Sequence, residues 1–254
     1  MTTTSGASPR RYRDALDRLL SAQKPSAGTA AYSRYVNRPL GRRVTAACHV
    51  VGMTPNQATA ISATLSASAI ALLCLVEPGV ALTVSVPVLL ALGYVMDSVD
   101  GQLSRLRGGG SLSGEWLDHT IDCIKTSTLH LAVLISWFRW PVSDHDAVLL
   151  VPVGFEVVAA VTFFGLILVP TLRPVRNSGS TLRDTAVREN PLRTYLLLPL
   201  DYGVVCWVFV LLAWPTVFAW AYSFLFVAAA AALVLALRKW WRELRALDAA
   251  RAEA

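Results

Sequence analysis

Apolar residues along this chain fall into long runs separated by short polar links, the pattern of helices that cross a lipid bilayer. Runs near 56–76, 80–104, 147–169, 196–213 and 217–237 are each long enough, or nearly so, for the roughly 20 residues that span a hydrocarbon core. A further helix at 115–138 is harder to see. Leu129–Phe138 is strongly apolar, but Asp118, His119, Asp122 and Lys125 depress its first half. Upstream, at 29–52, the period changes. Val36, Leu40, Val44, Ala47 and Val51 form an apolar stripe at helical spacing, and Arg34, Arg38 and Arg42 form a second stripe on the opposite side. That pattern predicts an amphipathic helix in the headgroup layer, divided in two by Pro39. Residues 1–28 read as a polar tail with one short helix around Tyr12–Leu20, and 239–254 as a basic tail. The expected fold is all-α, a polytopic membrane protein. Six transmembrane helices within 53–238 follow the interfacial helix.

Composition agrees. The 254 residues are 54% hydrophobic with a mean hydropathy of +0.49, which sets the chain among membrane proteins. The net charge of +6 matters by position. Basic residues crowd the N-terminus, the 105–110 link, the 171–195 loop and the tail from Arg238, and the links at 77–79, 139–146 and 214–215 hold few. The positive-inside rule then predicts both termini in the cytoplasm, which six crossings allow. No nucleic-acid-binding module surrounds the basic residues, so no nucleic-acid partner is expected. The first 25 residues lack an apolar core and a small-residue cleavage site, so no removed signal peptide is expected. Cys48, Cys74, Cys123 and Cys206 are dispersed and predict isolated thiols, with neither a disulfide framework nor zinc spacing.

The charges inside the apolar runs change the picture most. Asp97 and Asp100 are i, i+3, and Asp118 and Asp122 are i, i+4, so each pair lies on one face of its own helix. Gly101 leaves the first face bare for a ligand. The link R-L-R-G-G-G-S turns the chain back and brings the two acidic faces together. Converging carboxylates at a membrane edge repel one another unless cations lie between them. Oxygen-only ligands favour a hard cation such as Mg²⁺ or Mn²⁺, and two such ions suit phosphoryl-group chemistry.

This spacing resembles the signature of the CDP-alcohol phosphotransferase family, D-x2-D-G-x2-A-R-x8-G-x3-D-x3-D. Asp97, Asp100, Gly101, Arg105, Gly114, Asp118 and Asp122 match with every gap kept, and Ser104 replaces the family alanine. The resemblance implies transfer of a phosphatidyl group from CDP-diacylglycerol to a hydroxyl acceptor, with release of CMP, in phospholipid synthesis on the cytoplasmic side of the cell membrane. It also implies that Asp97, Asp100 and Asp118 hold two metal ions, and that Asp122 is the general base and also a metal ligand. The Arg105 fork suits the diphosphate. The segment G-M-T-P-N-Q-A-T at 52–59 resembles the family's G-x-T-P-N/D-x-x-T element, which lies against the CDP group and here offers Thr54, Pro55 and Asn56. Helix capping by Thr54 and Pro55 is the alternative. Ser111 is a further candidate for the nucleotide. The link R-L-R-G-G-G-S resembles that of inositol-phosphate-transferring members, which favours a phosphorylated polyol acceptor, with glycerol 3-phosphate close behind. Family members of this kind form homodimers.

Other residues are assigned from their positions. His119 is rotated about 100° from Asp118 and is expected to face away from the acidic stripe. His49, His130 and His145 are isolated and receive no catalytic role. Arg173, Arg176, Arg183, Arg188 and Arg193 suit either a phosphorylated acceptor or anionic lipid. Lys125 continues the acidic face one turn deeper. Helix depths predict that it pairs with Glu156 or shares a bridging polar group with it; the rival reading turns it toward Asp122 as a supporting residue of the site. Two other functions use intramembrane aspartates. A prenyltransferase expects acidic motifs far apart in sequence, and an ion-coupled transporter often shows internal repeats. Neither feature is present.

Overall fold

The computed structural model describes residues 7–21, 30–173, 194–195 and 197–252, all helix, turn or link among the described residues. Helix α1 is Ala7–Ser21, and α2 is Arg38–Val50, entered through a π-helical turn at Ser33–Asn37. The long helices are α3 (Pro55–Leu75), α4 (Val80–Leu106), α5 (Leu112–Arg139) and α6 (Leu150–Leu172). A short α7 (Tyr202–Val208) and the 38-residue α8 (Pro215–Ala252) complete the chain. Five helices are long and apolar enough to cross a membrane: α3, α4, α5, α6 with its preceding 3-10 turn, and α8. The expected crossing at 196–213 differs. Its apolar helix covers only Tyr202–Leu211, about 15 Å at 1.5 Å per residue, with a 3-10 turn before it at Leu198–Leu200 and its own last turn, Phe209–Leu211, also 3-10. The segment starts beside Tyr94, against which Tyr202 packs edge-on. It ends where Leu212 and Pro215 line one pocket with Glu77 and Pro78. The arginine-rich 174–193 stretch lies outside the described residues.

Small residues let α3 and α4 approach closely. Ala58, Ser62, Ser66 and Ala69 form a buried stripe on α3. Ser62 donates a hydrogen bond to the Gly93 carbonyl at 2.8 Å. A Cβ on Gly93 would lie 2.7 Å from Ser66 Oγ, so the contact needs glycine. At the end away from the aspartates, Val86, Leu90, Leu129, Val133, Trp137, Phe155, Phe209, Phe218 and Tyr222 form one aromatic-rich core. Large apolar side chains such as Val84, Phe164 and Trp220 face outward, as lipid contact requires.

Two expectations for the N-terminal region are corrected. Pro39 does not divide the interfacial helix. The wider π turn before it accommodates the missing N–H and the bulk of the ring, and the helix runs on from Ser33 to Val50. The expected apolar stripe is the outer face, with Val36, Leu40 and Val51 exposed. The inner face is Asn37, Gly41, Thr45 and Cys48, all buried. Nor is the polar N-terminal segment wholly a tail. Ala15 and Leu19 of α1 pack with Ala46 and Leu106, and Arg18 donates to the Leu106 carbonyl at 2.9 Å. Helix α8 continues through much of the expected basic tail. There Arg173, at the end of α6, pairs with both carboxylate oxygens of Glu243 at 2.9 and 3.2 Å.

Candidate active site

Two links gather the polar residues at one end of the helices. The α4–α5 turn needs glycine, because Gly108 and Gly109 have φ of +91° and +131°. Arg107 closes the flank by donating to the carbonyls of Gly52 and Met53 at 3.2 and 2.7 Å. That link leads into α3, where Thr54 and Gln57 form a reciprocal capping box and Pro55 occupies the first turn. Thr54 and Pro55 thus have a full structural role. Ser111 likewise caps α5, accepting from the Gly114 amide at 3.0 Å. Asn56 lies beside this cap: a Cβ on Gly114 would sit 3.3 Å from Asn56 Oδ1.

The two acidic pairs meet. Asp97, Asp100 and Asp118 each offer a carboxylate oxygen within 4.8 Å of the other two. Asp118 and Asp122 form a second group at the same spacing with His119. His119 is therefore not turned away from the acidic face. It is one residue from Asp118 but three from Asp122, and positions three apart on a helix are neighbours.

One hydroxyl and one ammonium hold the carboxylates, and a second hydroxyl holds the ammonium. Thr59 donates to Asp100 Oδ2 at 2.8 Å. Lys125 Nζ bonds Asp97 Oδ1, Asp122 Oδ1 at 2.7 Å and Ser62 Oγ at 3.3 Å. The predicted Lys125–Glu156 pair is absent, and Glu156 Oε2 is buried with no partner among the described residues. A helical side chain leans toward the helix N-terminus, which for Lys125 is the direction of Asp122. Thr59 and Ser62 carried a sequence signal, polar residues at helical spacing in an apolar run. Only the fold shows that they face α4 and α5.

A cavity of about 270 Å³ opens beside the carboxylates, with Asp97, Asp100, Gly101, Arg105 and Asp118 on its wall. Arg105 Nη1 lies 3.5 Å from where a Gly101 Cβ would be, so the bare glycine face and the guanidinium adjoin. Asn37, Arg38, Tyr94, Ser98 and Gln102 also line this cavity, and none of them was expected from the sequence as a site residue. Behind them Tyr94 stacks on Tyr32, whose hydroxyl accepts from Trp207 Nε1 at 3.0 Å. Asp201 ties α7 to the interfacial helix, accepting from the Ser33 amide at 2.8 Å and the Gly203 amide at 3.0 Å.

No family model matches the chain, and no curated protein matches it. Solved structures do. A Mycobacterium tuberculosis phosphatidylinositol phosphate synthase with CDP-DAG bound aligns with a TM-score of 0.54 at 22% identity, over 81% of this chain and 94% of the other. The same synthase in complex with manganese and citrate aligns with a TM-score of 0.53 at 23% identity, over 81% and 89%. The chain is therefore similar in fold to this synthase across most of both lengths.

Proposed function

We propose that this chain is a metal-dependent CDP-alcohol phosphotransferase. It transfers the phosphatidyl group of CDP-diacylglycerol to a hydroxyl of a phosphorylated polyol, such as inositol phosphate or glycerol 3-phosphate, and releases CMP. The observation that carries this reading is the gathering of Asp97, Asp100 and Asp118 oxygens within 4.8 Å around a cavity that also holds Arg105. The residues present fit two Mg²⁺ or Mn²⁺ ions. The donors are carboxylates from two helices, and in the structure an ammonium already balances Asp97 and Asp122. Bound divalent cations would neutralise the diphosphate and acidify the acceptor hydroxyl.

The chain's own residues do the rest. Arg105 faces the diphosphate, and Gly101 lets it come close. Thr59 fixes the rotamer of Asp100. Lys125 holds Asp97 and Asp122 toward each other across the α4–α5 gap. Asp122 takes the proton of the acceptor hydroxyl as its oxygen attacks the phosphatidyl phosphorus. The bond from that phosphorus to CMP then breaks, and CMP leaves with the electron pair. The M. tuberculosis neighbours were solved with CDP-DAG and with manganese, which supports the same donor and metal class here. We place this end in the cytoplasm, because Arg105, Arg107, Arg173 and the basic stretch from Arg238 gather there.

The test is to incubate purified protein with CDP-diacylglycerol, Mg²⁺ and a panel of polyols and polyol phosphates, and to identify the lipid by mass spectrometry. A new lipid carrying the acceptor supports the reading. An unchanged lipid pool with every acceptor rejects it.

A further inference from the structure

The cavity has two walls. One carries Asp97, Asp100, Asp118 and Arg105. The other comes from the interfacial helix and its entry turn, through Ser33, Asn37 and Arg38. Thr54, Asn56 and Ser111, the positions expected to face the nucleotide, are on neither wall. They sit on the flank where α3 and α5 begin. The carboxylates therefore have a second approach, on the side of the interfacial helix. At about 30 Å³ per water, the cavity has room for roughly nine waters, the size of a small polar molecule.

Two side chains on that second wall keep unmet bonding capacity among the described residues. Asn37 is 2% exposed, and its Nδ2 donates to the Tyr94 carbonyl at 3.3 Å. Its Oδ1 is buried with no hydrogen-bond partner among the described residues. A buried amide oxygen is strongly under-satisfied in that state, and what it lacks is a donor. An alcohol hydroxyl supplies one, and a phosphate oxygen does not. Arg38 is the next residue and half-buried, and no carboxylate lies within ion-pair distance of it among the described residues. It shares the cavity with Arg105, so two guanidinium groups border one space. Arg105 suffices for the diphosphate of the donor. A second fork beside it suits a second phosphate.

We propose that the side of this cavity bordered by the interfacial helix is the acceptor site, with Arg38 binding the phosphate of a polyol phosphate and Asn37 Oδ1 accepting from one of its hydroxyls. The inference rests on the phosphotransfer reading and deepens it. The interfacial helix then selects the acceptor, while the aspartate motif handles the donor and the reaction.

Purified full-length protein in detergent with Mg²⁺ tests this by equilibrium binding of labelled glycerol 3-phosphate and labelled inositol 1-phosphate, with inorganic phosphate as competitor. At least one polyol phosphate should bind. Arg38→Gln should weaken it about tenfold or more, the loss expected for a charge-assisted hydrogen bond, and Arg38→Lys should fall between. Asn37→Leu should erase the advantage of the polyol phosphate over inorganic phosphate and leave inorganic phosphate binding unchanged. In turnover, Arg38→Gln should raise the acceptor KM and leave the KM for CDP-diacylglycerol within about twofold. The inference is overturned if neither polyol phosphate binds, or if Arg38→Gln leaves the affinity unchanged. Failure of the underlying reading looks different: no CMP forms with any acceptor, whether or not polyol phosphate binds.

Discussion

Replacing Lys125 by Met keeps most of the length of the side chain and removes its charge. Lys125 is 9% exposed and touches Asp97, Asp122 and Ser62 at once. Its loss leaves two carboxylates facing each other across the α4–α5 gap. Removing one partner of a buried ion pair is worth about 3–5 kcal/mol. The side chains of Asp97 and Asp122 keep 24% and 30% exposure, so water screens part of that and the low end, about 3 kcal/mol, applies. For a chain of this size, about 3 kcal/mol corresponds to a drop of roughly 6–12 °C in Tm. Divalent cations that enter the same carboxylate cluster offset the missing ammonium. The drop should therefore be largest in chelator and smaller in Mg²⁺ or Mn²⁺. Thermal unfolding in detergent, followed with and without EDTA, measures this. A Tm in EDTA within about 2 °C of the wild type would refute the bridging role of Lys125.

Four further outcomes are expected. Asp122→Asn should lose turnover and keep most CDP-diacylglycerol binding, whereas Asp100→Asn should lose metal and nucleotide binding together; equal binding losses would count against a separate base role. Thr59→Val removes the hydroxyl that holds Asp100 and should lower kcat/KM about tenfold or more with little change in fold, checked by steady-state kinetics. Gly93→Leu should destabilise the chain by about 1–3 kcal/mol, because Ser66 Oγ and the Ser62 carbonyl leave no room for a side chain. The fourth concerns pH. Burial, with Arg107 and Arg18 nearby, holds His49 below its ordinary value of 6.5. The folded chain thus binds fewer protons there than the unfolded one. Its contribution is intact above about pH 6.5 and is lost as the pH falls below. Melting temperatures between pH 7 and 5 should fall less in His49→Gln than in the wild type.

The parts of the site legible in the sequence were those set by spacing along a helix. Asp97 and Asp100 share a face, as do Asp118 and Asp122, and Gly108 and Gly109 make the turn that brings those faces together. Contacts that depend on side-chain direction were not legible. Counting depth along two helices put Lys125 level with Glu156, but the backward lean of a helical side chain sends it to Asp122. Comparing His119 with Asp118 alone hid its i, i+3 relation to Asp122. Hydropathy found the span-length helices but overstated 196–213, where 3-10 turns and the Asp201 cap shorten an apolar run. Pro39 predicted a break that a preceding π turn removes. The cavity wall built by Asn37 and Arg38 had no sequence signal, since an arginine beside a membrane reads first as a headgroup contact.

The central claim is that the gathered aspartates transfer a phosphatidyl group. Its most direct measurement is CMP release by the purified chain on addition of CDP-diacylglycerol, Mg²⁺ and polyol phosphate. The account predicts release that requires the acceptor and the metal and is abolished by Asp118→Asn, the aspartate shared by both carboxylate groups. No release from the folded wild-type protein across the acceptor panel, or equal release from Asp118→Asn, would contradict it.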